Sequence, residues 1–370
     1  MASELLYNNL DWYTSNISEE FVDRLRNRHE LLVLFGAGEL GRQAVAELSK
    51  VDIKPDYFCD NDPQRHGTTY LGIPVISFDD LSNMHKESLV VITSLVYKMP
   101  IKKQLSESNM DEFVEKFPDL SRVDKFRNYR EVVTNHWDKF DMVYHLLSDD
   151  ISRQIFYDRL NYCFTRNPNY LLPLTSNSTL YFERGIIKLS KEEVFIDGGA
   201  YIGDSSEEFL RQVNGEFTEI YLFEPENKKL VEFEKMTRGN KDIHIVAKGL
   251  WSKSKTLKFQ TNEYFPSSSE VSELEGDINV SVISIDEVLD GKSATFIKMD
   301  IEGAELEGLK GAKQTIKKYQ PTLAICVYHK PLDIIEIPLF IKELVPEYKL
   351  YLRHYNNHGQ TETVLYAIHK

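Results

Sequence analysis

The sequence has few cysteines and no segment typical of secretion or of a membrane span. Its three cysteines, Cys59, Cys163 and Cys326, are far apart and lack the paired spacing of a zinc or redox motif, so we expect reduced thiols. Residues 1–20 lack the basic start and apolar core of a signal peptide. No apolar stretch approaches the roughly 20 residues that cross a bilayer as a helix. A cytoplasmic protein without a transmembrane segment is the expectation.

Positive charge is also scarce. The chain carries 44 lysines and arginines against 58 acidic residues, a formal net charge of -14, and no stretch is rich in lysine or arginine. Such a surface repels nucleic-acid phosphates, so nucleic acid is not expected as a partner. With 42% hydrophobic and 28% charged residues the composition is that of a globular protein.

At 370 residues the chain exceeds the size at which a single core usually stops growing, and it contains two strand–glycine turn–helix patterns. These patterns predict two α/β domains. The predicted divisions are an N-terminal Rossmann-like domain over 1–120, a connector of two helices within 121–175, and a second domain over 176–370.

The second pattern begins with a buried strand that ends at Asp197 and continues into a glycine-rich turn and an acidic helix start. In a doubly wound sheet the ligand lies beyond the carboxyl ends of the strands, where this turn is placed. The Asp197 carboxylate either accepts from a donor on the ligand or orders the turn, and the sequence leaves both roles open. Acidity at the helix start disfavours a pyrophosphate and favours a ligand with a positively charged amino acid moiety.

Glu224 follows the next predicted strand, residues 219–223, about one βαβ unit downstream. This is the position that binds ribose hydroxyls in dinucleotide folds, and one carboxylate accepts well from two vicinal hydroxyls. Further predicted strands end at Lys248, at Asp300 and at His329, so acids and a histidine should collect at one edge of the sheet. Residues 348–355 and 361–369 are predicted to form a terminal antiparallel hairpin.

These motifs resemble the FkbM-type methyltransferases over about residues 181–370. The segments that carry the resemblance are Phe195–Asp204, Phe223–Pro225, Ser284–Val288, Ile297–Glu305, Arg353–Tyr355 and Thr363–Tyr366. The resemblance implies a seven-stranded class I methyltransferase sheet and transfer of a methyl group from S-adenosylmethionine to a hydroxyl, often on a sugar or a polyketide.

The resemblance also implies roles for single residues. Glu224 would hold the ribose hydroxyls, Gly249 and Leu250 would flank the adenine, and Asp300 would stand near the sulfonium and the incoming hydroxyl. The turn around the methionine part of the cofactor would be formed by Asp197, Gly198, Gly199, Ala200, Tyr201, Gly203 and Asp204.

A hydroxyl is a poor nucleophile, so a general base within hydrogen-bond reach would help the transfer. His329 is the first candidate, because it ends a buried strand at the ligand edge and its ordinary pKa is near neutral; a structural histidine is the alternative. Asp300 and Glu302 are candidates for the base, or for ligands of Mg²⁺ together with another carboxylate. His354, in the terminal hairpin, is a weaker candidate, since packing is the commoner role at such a position.

The first glycine pattern contains Gly36, Gly38 and Gly41, with Asp60 about one βαβ unit downstream. This arrangement fits a dinucleotide fingerprint, and it resembles the small Rossmann-like domains that precede bacterial sugar acyltransferases, which implies a nucleotide or nucleotide sugar as ligand. The alternative is a scaffolding or dimerisation module, which would make the protein a homo-oligomer.

The sequence thus predicts an S-adenosylmethionine-dependent O-methyltransferase that acts on a small-molecule or glycan acceptor. Two other functions remain open at this point. One is an NAD-linked oxidoreductase or epimerase of sugar nucleotides, centred on the first glycine turn, and the other is a non-catalytic binding or assembly protein.

Overall fold

A computed structural model describes the side chains and backbone of most of the chain. It describes residues 7, 10–85, 87–94, 96–110, 112–114, 117–118, 120, 123–226, 240–260, 270–272, 278–356, 359 and 361–369. The chain divides into two compact units, one formed by Tyr13–Arg127 and the other by Met1–Trp12 together with Asn128–Lys370. No helix in the described ranges is long and apolar enough to cross a membrane.

The Tyr13–Arg127 unit is an α/β unit built on one sheet. Its strands are β1 (Leu32–Phe35), β2 (Tyr57–Cys59), β3 (Thr69–Tyr70), β4 (Ile73–Ile76), β5 (Leu89–Ile92) and β6 (Phe113–Val114). Its helices are α1 (Ile17–Arg26), α2 (Glu39–Ser49), α3 (Phe78–Met84) and α4 (Lys98–Glu107). The strand order is β3-β4-β2-β1-β5-β6.

The predicted βαβ unit is present, because β1 and β2 pair in parallel with α2 between them. β3 and β4 form an antiparallel hairpin in which β3 lies at the edge of the sheet, since β4 also pairs in parallel with β2. Five strands of this sheet, β1, β2, β4, β5 and β6, run parallel to one another. Of these, β6 has only two residues, too few to show a period in the sequence.

The second unit contains two sheets. Its strands are β7 (Val194–Gly198), β8 (Glu219–Phe223), β9 (Ile243–Val246), β10 (Gly249–Leu250), β11 (Lys255–Gln260), β12 (Glu270–Ser272), β13 (Ile278–Ile283), β14 (Phe296–Met299), β15 (Thr322–Cys326), β16 (Lys349–His354) and β17 (Thr363–Ile368). Its helices are α5 (Tyr129–Asn135), α6 (Trp137–Leu146), α7 (Asp150–Thr165), α8 (Asp204–Gln212), α9 (Ile285–Leu289), α10 (Glu305–Lys310), α11 (Lys313–Tyr319) and α12 (Asp333–Leu344).

The main sheet has seven strands in the order β16-β17-β15-β14-β7-β8-β9, with β17 antiparallel to both neighbours and the central strands parallel. This confirms the expected class I methyltransferase sheet. The terminal hairpin is confirmed as β16 and β17, while its turn residues 357, 358 and 360 lie outside the described residues. A smaller sheet, β10-β13-β11-β12, was not predicted.

The described part of 121–175 contains three α-helices, α5 to α7, rather than the expected two, and they belong to the same compact unit as the seven-stranded sheet. Asp149 caps α7 by accepting from the backbone N–H of Ser152 at 2.8 Å. The same cap is tied to β16, because Asp149 pairs with Arg353 at 2.7 Å and the Ser152 hydroxyl accepts from Leu352 N at 2.8 Å. These contacts join α7 to the seven-stranded sheet. The division of the chain into domains with a separate connector over 121–175 stays a prediction.

Candidate active site

The side chain of Asp197, at the carboxyl end of β7, is wholly enclosed. One oxygen lies 3.0 Å from Nζ of Lys298, and the other accepts from the hydroxyls of Ser205 and Ser206, each at 2.6 Å. Both serines lie in the first turn of α8. Of the two roles that the sequence left open for Asp197, these contacts favour ordering the turn and the start of α8 over direct contact with a ligand.

Lys298 is a central residue that the sequence analysis missed. It lies opposite Asp197 in the register of β14 on β7, and only 3% of its side chain is exposed. Its ammonium also donates to the carbonyl of Gly199 at 2.8 Å and lies 4.9 Å from the ring centroid of Tyr181. Burial by itself lowers the pKa of Lys298, but the carboxylates of Asp197 and Asp300 outweigh it and raise the pKa. A lysine in the otherwise apolar run of β14 was the available signal, because lysine is almost never fully buried unless it is paired.

The glycine turn itself fits tightly against the neighbouring strand. Gly199 has a φ of 75°, and a Cβ there would overlap the carbonyl oxygen of Asp300. A Cβ on Gly198 would lie 2.6 Å from Cδ1 of Leu250. Glycine at position 199 allows this approach, so the backbone of the turn packs directly against the backbone of Asp300, just after β14.

Glu224 fixes the turn from the other side. Its two carboxylate oxygens accept from the backbone N–H groups of Tyr201, at 3.0 Å, and Glu226, at 2.9 Å, and only 5% of the residue is exposed. The turn is also bound to the last residue of β8, because the backbone N–H of Ala200 donates to the carbonyl of Phe223 at 3.1 Å. Glu224 therefore ties the start of the glycine turn to the end of β8.

The outer part of the turn faces solvent. Tyr201 is 42% exposed and has a φ of 51°, and Asp204, the first residue of α8, is exposed. Gly203 precedes α8 with a φ of 93°. Gly249 and Leu250 form β10, and Leu250 packs under Gly198. The predicted cofactor residues are thus brought together at one edge of the sheet, and their contact with a cofactor stays a prediction.

A second group of polar residues, which we call the His329 cluster, consists of Asp300, Glu302, Glu305 and His329. Nδ1 of His329 lies 2.9 Å from Oε1 of Glu305, and Nε2 lies 3.4 Å from both Oδ1 of Asp300 and Oε2 of Glu302. His329 is 1% exposed and Glu305 is fully buried. The strand ends of β14 and β15 therefore meet as predicted, with Glu305 as the member whose role the sequence did not indicate.

The charges of the His329 cluster act strongly on one another. Burial lowers the pKa of His329, but Glu305, Asp300 and Glu302 outweigh it and raise the pKa to about 9. The pKa of the adjacent Asp333 is raised to about 7, mainly by burial and then by the charge of Glu305. The pKa of Glu362 is also raised to about 7, mainly by burial and then by the charge of Asp300. This pocket holds more carboxylate charge than the imidazolium and Lys298 balance.

Two tyrosines that the sequence analysis missed hold Asp300. The hydroxyl of Tyr181 donates to Oδ2 of Asp300 at 2.6 Å, and the hydroxyl of Tyr328 donates to Oδ1 at 3.2 Å. Burial opposes ionisation of Asp300, but His329, Lys298 and these hydroxyls outweigh it and lower its pKa. Asp300 is therefore a fixed carboxylate between the glycine turn and His329.

Carboxylate and imidazole groups at this separation suit a metal ion. Within the described residues, Asp300, Glu305 and His329 each offer an atom within 4.8 Å of the others.

His354, the other candidate base, lies in β16, fully buried, with Nδ1 3.0 Å from the hydroxyl of Thr363. Burial and then Arg159 lower its pKa to about 4, so it is a neutral packed residue near neutral pH. A catalytic role for His354 stays a prediction.

The N-terminal glycine turn has the geometry of a tight strand-to-helix connection. Gly36 has a φ of 125°, and a Cβ on Gly41 would lie 2.8 Å from Cε1 of Phe58 and closer still to the carbonyl oxygen of Gly36. Asp60 accepts from the backbone N–H groups of Ala37, at 2.8 Å, and Asp62, at 2.9 Å, so it orders the turn. Nothing lies within 4 Å of a Cβ built on Gly38. Binding of a nucleotide here stays a prediction.

This geometry predicts unequal effects of two alanine substitutions in the N-terminal turn. Gly41→Ala should destabilise the Tyr13–Arg127 unit by about 1–3 kcal/mol, because the added methyl overlaps backbone and a core ring. Gly38→Ala, the matched control, should change stability by less than about 0.5 kcal/mol, since it points into open space. Hydrogen exchange of the β1 and β5 amides measures this unit separately; equal protection in both variants would contradict the packing role of Gly41.

Comparison with known proteins identifies one segment of the chain. Residues 197–358 match the model of the methyltransferase FkbM domain. Residues 197–358 therefore form a methyltransferase FkbM domain. No curated protein sequence matches the chain. The resemblance noted in the sequence is thereby confirmed for this segment, and the match favours a methyltransferase over the oxidoreductase and the non-catalytic alternatives.

Among solved structures, the chain is similar to the methyltransferase FkbM from Methylobacillus flagellatus KT, with 24% identity, a TM-score of 0.73, and coverage of 99% of this chain and 97% of that one. It also matches an rRNA methylase from Streptococcus thermophilus, at 13% identity and a TM-score of 0.32, over 48% of this chain and 87% of that one. The first likeness covers nearly the whole chain and shows that its fold occurs in another protein.

Proposed function

We propose that the protein is an S-adenosylmethionine-dependent O-methyltransferase whose acceptor is a hydroxyl of a sugar, glycan or related natural product. The observation that carries this proposal is that the glycine turn and the His329 cluster are in direct contact through Asp300. Gly199 in the glycine turn lies against the backbone of Asp300, whose side chain belongs to the His329 cluster. A cofactor on the turn and an acceptor on the cluster would therefore be neighbours.

The residues of the turn fit this cofactor. Glu224 directly follows β8, the position that binds ribose hydroxyls in dinucleotide folds, and its carboxylate is fixed by the backbone N–H groups of Tyr201 and Glu226. The first turn of α8 carries Asp204 and Glu207, which favour a positively charged amino acid moiety over a phosphate. When bound, S-adenosylmethionine supplies an electrophilic methyl group.

The protein side of the reaction would be positioning and removal of a proton. Much of the acceleration comes from holding the acceptor oxygen about 3 Å from the carbon that it attacks. Of the His329 cluster, Glu302 has the most open carboxylate, with 34% of its side chain exposed, and it is placed to meet an acceptor that enters from solvent. With a pKa of about 9, His329 carries a proton near neutral pH. The protonated ring would orient and polarise the acceptor, and it must lose its proton before it can act as a base.

The cofactor assignment is tested by thermal stabilisation with S-adenosylhomocysteine. The wild-type protein should be stabilised, and Glu224→Gln should lose most of the shift, because each lost charge-assisted hydrogen bond is worth about 1.5–3 kcal/mol, or tenfold or more in affinity. Glu192→Gln, an exposed residue before the opposite end of β7, is the matched control and should keep the full shift.

Two results would count against the proposal. A wild-type protein that shows no shift with saturating S-adenosylhomocysteine does not bind this cofactor, and the same experiment with NAD(H) then tests the oxidoreductase alternative. An unchanged shift in Glu224→Gln removes the ribose role from Glu224.

A further inference from the structure

Three polar atoms of the His329 cluster are buried without a hydrogen-bond partner among the described residues. They are Oε2 of Glu305 and both ring nitrogens of His329. Nδ1 of His329 lies 2.9 Å from Oε1 of Glu305, but the two groups are not aligned for a hydrogen bond. Glu305 is fully buried and His329 is 1% exposed, so bulk solvent does not satisfy these atoms. Such atoms are costly, and a native protein needs a reason to retain three of them together.

Asp300, Glu305 and His329 are close enough to share one cation. Each of the three residues offers a ligand atom, and these atoms all lie within 4.8 Å of one another. Two ligand atoms that each lie about 2.1–2.4 Å from a cation are at most about 4.8 Å apart, when they are on opposite sides of it. Glu302 is not one of the three, although its Oε2 lies 3.4 Å from Nε2 of His329. The set therefore consists of two carboxylates and one imidazole.

Both carboxylates of this set are held in place by other groups. Oε1 of Glu305 accepts from the backbone N–H groups of Ile301, at 2.9 Å, and Gly303, at 3.3 Å, so Oε2 is the oxygen left for a ligand. Asp300 accepts from the two tyrosine hydroxyls described above. Carboxylates that bind a metal are commonly hydrogen-bonded in this way by groups around them, which fixes their orientation.

We propose that Asp300, Glu305 and a ring nitrogen of His329 bind one divalent transition-metal cation. Two carboxylates and a neutral imidazole balance the charge of such an ion. The imidazole favours Mn²⁺, Fe²⁺ or Zn²⁺ over Mg²⁺, which prefers oxygen ligands and water. A cation with three protein ligands keeps a position open, where it would polarise the acceptor hydroxyl in place of the ring proton; this use, unlike the binding itself, rests on the proposed function.

Binding can be measured without any assay of methyl transfer. The full-length protein is treated with a chelator, dialysed, and titrated with Mn²⁺ while the free ion is followed by electron paramagnetic resonance. We expect one bound Mn²⁺ per chain, displaced by Zn²⁺ and poorly displaced by Mg²⁺. Glu305→Gln should weaken binding by about tenfold or more, because the amide can still accept from the backbone but places an NH₂ group where a ligand oxygen is needed.

His329→Gln separates a ligand role of the imidazole from attraction by charge alone. If the carboxylates merely attracted the ion, this variant would bind Mn²⁺ as well as the wild type or better, since it removes no negative charge. With the imidazole as a ligand, we expect binding to weaken by about tenfold or more. The nitrogen hyperfine coupling in the pulsed resonance spectrum of the bound Mn²⁺ should also disappear.

Two further variants serve as controls. Glu307 lies in the helix of Glu305 but pairs with Lys310 at 2.6 Å, so Glu307→Gln should bind Mn²⁺ as the wild type does. Glu302→Gln removes a carboxylate beside the set, and it should weaken binding less than Glu305→Gln does. A circular dichroism spectrum and a cooperative unfolding transition like those of the wild type show that each variant is folded.

The inference is overturned if the wild-type protein binds neither Mn²⁺ nor Zn²⁺, if folded Glu305→Gln or His329→Gln binds as the wild type does, or if Glu302→Gln causes the larger loss. These failures differ from failure of the proposed function. Stabilisation by S-adenosylhomocysteine without metal binding removes only the cation site, and metal binding without that stabilisation removes only the cofactor assignment.

Discussion

Replacing Lys298 by methionine is expected to destabilise the unit that contains the FkbM domain by about 3–5 kcal/mol. Removal of the ammonium leaves the enclosed carboxylate of Asp197 without its 3.0 Å counterion, and the carbonyl of Gly199 loses its donor. Breaking a buried pair on one side is costly because the remaining charge stays desolvated. The turn and the start of α8, which Asp197 orders, should loosen first.

Tryptophan fluorescence during urea unfolding measures this effect in the right unit, because Trp12, Trp137 and Trp251, the three tryptophans of the chain, all lie outside Tyr13–Arg127. Lys292→Met is the control, since Lys292 makes an exposed pair with Glu219 and should cost less than about 1 kcal/mol.

The double variant Lys298→Met with Asp197→Asn separates charge from packing. It should recover part of the lost stability, because the uncompensated carboxylate is then absent. The buried ion pair does not organise the turn if Lys298→Met is as stable as the wild type. The same holds if the double variant loses more stability than the two single substitutions lose when their effects are added.

His329→Gln is expected to reduce methyl transfer by about 10²–10⁴-fold. Glutamine is close to histidine in size, but it has no basic nitrogen that could take up the proton of the acceptor hydroxyl. The cofactor turn is made by other residues, so stabilisation by S-adenosylhomocysteine should be retained. The loss should therefore appear in turnover and not in cofactor binding.

The measurement is formation of S-adenosylhomocysteine from S-adenosylmethionine with a panel of sugar and glycan alcohols. His145→Gln serves as the control, because His145 is partly exposed and pairs with Asp141 at 3.5 Å, away from the His329 cluster. Turnover by His329→Gln equal to that of the control would give His329 a purely structural role.

The sequence predicted the parts of the site that are contiguous along the chain. Strands β7 and β8 are short buried runs, so their ends, Asp197 and Glu224, could be located from hydrophobicity and turn residues alone. The edge at which Asp300 and His329 meet followed from the rule that parallel strands end on the same side. The order of these motifs also carried the FkbM resemblance, which the match over 197–358 confirmed.

Tertiary structure decided how the side chains at that edge are used. Asp197 accepts from Lys298, a residue of another strand 101 positions away, and no local pattern in either strand specifies that pair. Tyr181 reaches Asp300 across 119 positions and has a φ of 66°, a conformation that its sequence neighbours do not indicate. Glu305 could be placed on a helix, but only the packed sheet shows that it lies 2.9 Å from Nδ1 of His329.

The two kinds of information differ for a physical reason. Strand ends, glycine turns and helix caps depend on interactions within a few residues, so the sequence by itself determined the fold class, the position of the cofactor turn and the residues gathered at the sheet edge. Burial and pairing of charges depend on which distant segments pack together. Only the tertiary structure therefore decided that Asp197 orders the turn, that His354 is a neutral packed residue, and that Nε2 of His329 faces two carboxylates.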